Sequence, residues 1–373
     1  MSLGLTPEQV MLQQAAQRYF ADCYDDRARR KRRDMPERFS RETWREMAEL
    51  GWLGAGFSEE EGGFGGGVIE TMILMEEAGS ALVQEPLLSS MVVAGRLLAE
   101  AEQDISSLLS GDEIIVPALT EKDRLFDPFK VEATICRAEG GYVVRGVKNM
   151  ILDGGAADYF IVTAREGDRK GALVLLRLPA DAKGVRVLPF PTMDGRSAAL
   201  LDMENIGVGE EAVIARGAHA ERALSAATDH AIVAICAEAV GVSRSLLDRT
   251  IDYLKTRCQF GQPIGRFQAL QHRAADMFIA HEEARSLALM AAAALALPEV
   301  DRRQRLSAAK VGVMARTLHV GREAIQLHGG VGMTDELPVG DGFKRLKVLS
   351  FLFGDEHFHL ERMGEAGCKA AGE

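Results

Sequence analysis

The chain has 373 residues, enough for two or three structural units and a sizeable core. With 44 Lys plus Arg against 55 Asp plus Glu, its net charge of −11 argues against nucleic acid or an anionic membrane surface as the main partner. At 47% hydrophobic and 27% charged it has an ordinary globular composition, and the scarcity of aromatics (6%) beside many Ala, Leu and Met leans it toward helix. The five cysteines, Cys23, Cys136, Cys236, Cys258 and Cys368, show no paired spacing, so neither a zinc site nor a disulfide framework is expected and a reducing compartment fits. The longest run free of charge and proline, Ser286 to Leu297, is too short for a membrane span, and the start Met1-Ser2-Leu3-Gly4 opens no signal sequence. A cytoplasmic protein is expected.

From Thr6 to about Leu109 the pattern is helical, and Thr6-Pro7-Glu8-Gln9 reads as an N-cap, a first-turn proline and a capping box. The basic run Arg27 to Arg33 reads as a solvated helix face. Trp44 to Gly54 reads as a helix with a glycine stop. The glycine-rich loop from Glu60 to Gly67 is irregular backbone and no phosphate loop, because no strand precedes it and no Lys-Ser/Thr follows. At Glu113 short β-type runs begin: Ile114 to Val116, Val131 to Thr134, Tyr142 to Val147, Tyr159 to Val162 and Ala172 to Leu176. With no helix between them they predict a small antiparallel barrel or sandwich. After Val208 helical periodicity returns over Ala220 to Arg257, Phe267 to Leu297 and Gln304 to His328, and Phe267, Leu270, Ala274, Met277 and Phe278 mark one buried helix face. The fold class is α+β, mostly α, with boundaries at 1–112, 113–215 and 216–373.

Two stretches in the last third carry chemistry. Arg257-Cys258-Gln259-Phe260-Gly261-Gln262-Pro263-Ile264-Gly265 reads as a helix ending at Phe260-Gly261, a Pro-Ile turn, and a new helix from Phe267. Backbone N–H groups beside Arg257 suit a phosphate or pyrophosphate, and an ordinary inter-helix turn with a surface arginine is the alternative. Gln326-Leu327-His328-Gly329-Gly330-Val331-Gly332 ends a long helix in glycines that allow close backbone approach.

Together these stretches resemble the acyl-CoA dehydrogenase family. The resemblance also takes in Leu5-Thr6-Pro7-Glu8-Gln9, Glu60-Glu61-Gly62-Gly63, Leu119-Thr120-Glu121, and Gly146-Val147-Lys148-Asn149 leading to Gly154-Gly155-Ala156-Ala157-Asp158. It implies an N-terminal helical domain, a central small β-barrel or sandwich and a C-terminal four-helix bundle. It also implies FAD bound between the β domain and the bundle across a dimer interface. Arg257, Gln259 and Phe260 would reach the adenosine-diphosphate part of a flavin held by the neighbouring subunit, and Gln326, Gly329 and Gly330 would line that diphosphate region. Thr120 matches the family threonine at the flavin ring. The implied activity is dehydrogenation of an acyl-CoA thioester to the enoyl-CoA, with electron-transfer flavoprotein as electron acceptor and a homotetramer as the assembly.

The sequence departs from the family in places. Met150-Ile151-Leu152 stands where Trp-Ile-Thr is usual, and Lys122 to Phe129 replaces a Gly-x-Gly-Ser-Asp loop. The chemistry needs a carboxylate at the substrate α-carbon. Straight-chain members supply it in a Tyr-Glu-Gly-Thr stretch. Counting forward from Gly329-Gly330 puts Phe353 at that glutamate, whereas counting back from Arg362 puts Asp355 there, since the segment is two residues longer. The other family position falls on Ala231, beside Ile232. Asp355 is therefore the expected base, with Glu356 as the alternative, and a helix N-cap is the competing role for Asp355. His357 and His359 read as exposed helix residues, and no metal site is expected. The Phe-Gly-Asp-x-x-x-His-Leu ending is similar to the small-subunit type of pimeloyl-CoA dehydrogenase, in which two related chains form a mixed tetramer. This raises a second reading, that of a flavin-binding, base-deficient structural subunit.

Overall fold

The computed structural model describes residues 4–122, 126–334 and 337–370, with side chains to 364. Part of the Lys122–Phe129 loop and the Cys368 side chain lie outside the described residues. The chain divides into two compact units, one of 1–31, 72–83 and 232–373 and the other of 32–71 and 84–231.

The first unit is a helical bundle. Its helices are α1 (Pro7–Cys23), part of α2 (Asp26–Arg33), the C-terminal part of α4 (Val68–Ala81), and α7 (Gly217–Thr256) from residue 232. These are joined by α8 (Gln268–Ala294), α9 (Glu299–His328), α10 (Val339–Phe351) and α11 (Glu356–Ala370). The expected capping box starts α1: the Thr6 hydroxyl accepts from Gln9 N–H at 3.3 Å and the Gln9 side chain accepts from Thr6 N–H at 3.0 Å. Where α4 crosses α7 two glycines are required, because a Cβ at Gly79 would strike the Glu238 carbonyl oxygen and one at Gly241 the Glu76 carbonyl oxygen. Deeper in the bundle Glu238 on α7 and Arg345 on α10 form a buried two-pronged pair at 2.7 and 2.8 Å. Two expectations fail here. Arg29 of the basic run is buried against Asp341 at 2.6 Å, so that run is no uniformly solvated face. On α8 only Met277 of the five expected core residues is buried, and Phe278 with its neighbour Ile279 is exposed. α7 also contains an 18-residue window long and apolar enough to cross a membrane by composition, but 83% of it is buried.

The second unit carries α3 (Arg41–Glu49), the π-type helical segment Leu87–Ala94, α5 (Gly95–Glu100), α6 (Ser106–Leu109) and the central sheet. α3 stops at Glu49, earlier than expected, and Gly51 (φ 76°) turns the chain into a 3-10 segment, Trp52–Gly54. The strands are β1 (Ile115–Ala118), β2 (Thr134–Ala138), β3 (Gly141–Leu152), β4 (Tyr159–Glu166), β5 (Leu173–Pro179), β6 (Val185–Pro191), β7 (Ser197–Val208) and β8 (Val213–Arg216). Their order is β6-β7-β3-β2-β4-β5-β8, with β1 on β4. The sheet is not wholly antiparallel as expected: β1 and β2 both run parallel to β4. Of the expected run Val131 to Thr134, only Thr134 enters a strand.

Candidate active site

The turn after α10 decides where a base could stand. Phe353 (φ 55°) and Gly354 (φ 110°) both take positive φ, which folds the chain back toward α11. Three successive carbonyls of this turn are held by buried side chains. The Lys310 ammonium, 1% exposed on α9, donates to the Leu352 and Gly354 carbonyls. His359 Nε2–H donates to the Phe353 carbonyl at 3.1 Å, while its Nδ1 accepts from the Ser307 hydroxyl at 3.0 Å. Burial pushes Lys310 down to about 7 against the opposing pull of the Asp355 carboxylate. Burial, with the Lys310 and Arg362 charges behind it, pushes His359 down to about 3, so the ring is neutral at ordinary pH. Burial also drives the Cys236 thiol up to about 12, which leaves no thiolate there.

Asp355 follows this turn and caps α11. Its Oδ1 accepts from Phe358 N–H at 2.9 Å, and its carbonyl accepts from His359 N–H at 3.1 Å. Oδ2 makes no hydrogen bond among the described residues. Capping therefore uses one carboxylate oxygen and leaves the other. Asp355 and the exposed Glu356 line a cleft of about 630 Å³ together with Met314, Leu318 and Arg322 of α9 and Lys347 of α10. Phe353 presents no acid, and Ala231 and Ile232 are fully buried in α7. His357 is exposed and pairs with Glu361 at 3.1 Å, whereas His359 is buried, contrary to expectation.

The two expected diphosphate-binding stretches come together in the bundle. α7 ends at Thr256, and Phe260-Gly261 is no helix cap. Cys258–Gln259 and Gln262–Pro263 pair as a two-stranded hairpin, with Phe260 (φ 55°) and Gly261 (φ 81°) as its turn. Phe260 is 90% exposed. Tyr253 of α7 stacks on His328 of α9 with ring centroids 4.4 Å apart, which ties the base of the hairpin to the end of α9. Around this stack Arg257, Gln259, Phe260, Gln326, Gly329 and Gly330 are all exposed. The Arg257 guanidinium makes no ion pair or hydrogen bond among the described residues. Gly329 (φ 62°) and Gly330 leave open space where a Cβ would stand. An unpaired guanidinium, amide donors and bare backbone suit an anionic, flat-ended ligand such as a dinucleotide.

In the sheet unit Thr120 and Asn149 are joined twice, the Thr120 hydroxyl donating to the Asn149 carbonyl and Asn149 N–H donating to the Thr120 carbonyl at 2.9 Å. Met150 (φ 51°) follows in an irregularity of the β3–β7 pairing. Behind them Lys148 is fully buried and donates to Glu121 at 2.7 Å and Thr163 at 2.8 Å.

Lys310, His359 and Ser307 were not among the expected site residues. The available signal was a lysine set in an apolar stripe, with Leu306, Val313, Met314 and Thr317 four before and three, four and seven after it. Among the described residues no cluster of three His, Cys, Asp or Glu could hold a metal, and Cys23, Cys136, Cys236 and Cys258 are free thiols.

Fold and turn together define an acyl-CoA dehydrogenase architecture, and the chain belongs to the acyl-CoA dehydrogenase family: its N-terminal, middle and C-terminal domain descriptions match residues 6–103, 117–206 and 220–367. These enzymes are oxidoreductases acting on CH–CH bonds. Among individual relatives, the chain is 29% identical to the probable acyl-CoA dehydrogenase YngJ of Bacillus subtilis, over 88% of this chain and 90% of that one. Among solved structures it is similar to the Tcur3481-Tcur3483 steroid ACAD (28% identity, TM-score 0.87, 98% and 99% of the two chains). It is also similar to the ChsE4-ChsE5 complex of Mycobacterium tuberculosis (25% identity, TM-score 0.83, 99% of each chain).

Proposed function

We propose that this chain is an FAD-dependent acyl-CoA dehydrogenase that converts an acyl-CoA thioester to its enoyl-CoA, with Asp355 as the base. The observation that carries the reading is the divided role of Asp355: one carboxylate oxygen caps α11 and the other is uncommitted at the cleft. Arg257, Gln259 and Phe260 would hold the diphosphate end of a flavin carried by the neighbouring subunit, with Gln326, Gly329 and Gly330 lining that diphosphate region, and Thr120 would touch a flavin ring. Bound flavin supplies the acceptor for the β-hydride. The chain's own part is to receive the α-proton on Asp355, which then rests on that carboxyl group, and to hold the thioester in register. Glu356, one residue on and exposed, is the alternative proton acceptor. Electron-transfer flavoprotein is the proposed electron acceptor and a tetramer the proposed assembly.

A second reading is supported by Phe353, which stands where straight-chain members carry their glutamate, and by two similar structures whose names each join two chains. In that reading the chain is the flavin-binding, base-deficient subunit of a mixed tetramer, as in the pimeloyl-CoA dehydrogenase type. Expression of the chain alone separates the two. A self-sufficient enzyme is yellow and bleaches anaerobically with at least one of butyryl-, octanoyl-, palmitoyl-, isobutyryl- and glutaryl-CoA. A yellow protein that none of them bleaches, but that gains activity with a second related chain, supports the partner-subunit reading.

A further inference from the structure

The carbonyls of Leu352, Phe353 and Gly354 converge on two side chains from other helices, Lys310 and His359. Carbonyl dipoles gathered in this way repel one another unless a donor sits among them. Phe353 adds to the difficulty, since a residue with a Cβ avoids positive φ. The turn therefore does not hold its own shape. Gly354 directly precedes Asp355, and its backbone is closely confined: a Cβ there would strike the Phe358 ring. A rotation of the Gly354–Asp355 peptide would carry the Asp355 side chain with it.

A neutral donor could satisfy these carbonyls without burying a charge, yet the residue present is a lysine, 1% exposed in an apolar helix stripe. The Asp355 carboxylate favours the charged form of Lys310. We propose that Lys310 is a positioning residue for proton abstraction: by bridging the Leu352 and Gly354 carbonyls, with His359 on the carbonyl between them, its ammonium fixes the Phe353-Gly354 turn and so aims the free oxygen of Asp355 into the cleft. The catalytic consequence rests on Asp355 being the base. The fixing of the turn does not.

The test uses the flavin-loaded full chain with Lys310→Met, which keeps an unbranched apolar stem one atom shorter and removes the charge, and Lys310→Gln, which keeps a neutral donor group. Two readouts are taken: amide hydrogen exchange at Phe358 and His359, and the rate of flavin reduction across a concentration series of the acyl-CoA that bleaches the wild type. In Lys310→Met, exchange at the two amides is expected to quicken at least about tenfold while the core of α8 and α9 is unchanged. Reduction at saturation is expected to slow by about tenfold to a hundredfold, with half-saturation within about threefold of wild type. Lys310→Gln is expected to fall between. A purely structural lysine would lower stability and flavin content but leave saturated reduction by the folded fraction intact, and that result overturns the proposal. So does unchanged exchange at Phe358 and His359, or failure of both variants to fold. If the wild type itself bleaches with no acyl-CoA, the dehydrogenase reading falls, and the exchange measurement alone decides whether Lys310 fixes the turn.

Discussion

Each unit of this protein buries a lysine, and the two are solvated in different ways. Lys148, in the sheet, gives its ammonium to the Glu121 carboxylate and the Thr163 hydroxyl. Glu121 in turn accepts from the backbone N–H groups of Glu132 (2.9 Å) and Ala133 (3.1 Å). The set is a closed ion pair with its charges matched. Lys310, in the bundle, has no carboxylate bonded to it and gives its ammonium to two carbonyls of one turn. Burial lowers both, Lys148 to about 8 and Lys310 to about 7. The first lysine ties strands together, and the second selects a backbone conformation that the local sequence disfavours. What a buried charge does thus depends on its partner.

This contrast makes the loss at Lys148 the larger one. Lys148→Met leaves Glu121 buried without its counter-charge and is expected to cost about 3–5 kcal/mol in urea unfolding. Adding Glu121→Gln removes the charge and keeps an acceptor for one of the two N–H groups, which bond different carboxylate oxygens, so less than half of that loss is expected to be restored. Lys310→Met orphans carbonyls and no charge, so about 1–3 kcal/mol is expected. Equal losses at the two lysines would break the comparison.

His359 sharpens it through pH. Its imidazole titrates near 6.5 in the unfolded chain and near 3 when buried, so between these values the unfolded state binds the extra proton. Its contribution is whole above pH 6.5 and is lost as pH falls toward 3, at no more than about 1.4 kcal/mol per pH unit. His359→Gln is expected to flatten this acid limb in a pH series of thermal melts, and Lys148 variants to leave its slope alone. The smallest effect on folding is expected for Arg257→Ala, whose exposed side chain touches neither lysine. Its unfolding curve is expected to shift by less than about 0.5 kcal/mol. Flavin affinity, measured by titration into the apoprotein, is expected to weaken by about 1.5–3 kcal/mol, the scale of a charge-assisted phosphate bond.

Helix starts were legible in the sequence. Thr6 and Gln9 are three residues apart and cap α1 as their types require. Asp355 ahead of Glu356 signals a helix start in the same way, and it caps α11. The hairpin at Phe260 was misread because phenylalanine seldom takes the left-handed turn that Gly261 completes. Phe278 was misplaced because periodicity reveals an apolar face without revealing whether this chain covers it. The parallel pairings of β1 and β2 with β4 join segments far apart in sequence, which turn signals do not encode. Lys310 is unmarked for the same reason, since the carbonyls it holds lie 42 and 44 residues away, and His359 reads as exposed because its partner Ser307 is 52 residues away.

The central claim is that Asp355 removes the substrate proton, and Asp355→Asn tests it most directly. Asparagine is also a good N-cap, so α11 keeps its start and the protein is expected to stay folded and yellow and to bind acyl-CoA. Anaerobic stopped-flow flavin reduction is expected to slow at least about a hundredfold, the lower scale for loss of a general base. Reduction at the wild-type rate in Asp355→Asn, with Glu356→Gln equally fast, would contradict the account and leave Asp355 as a helix cap alone.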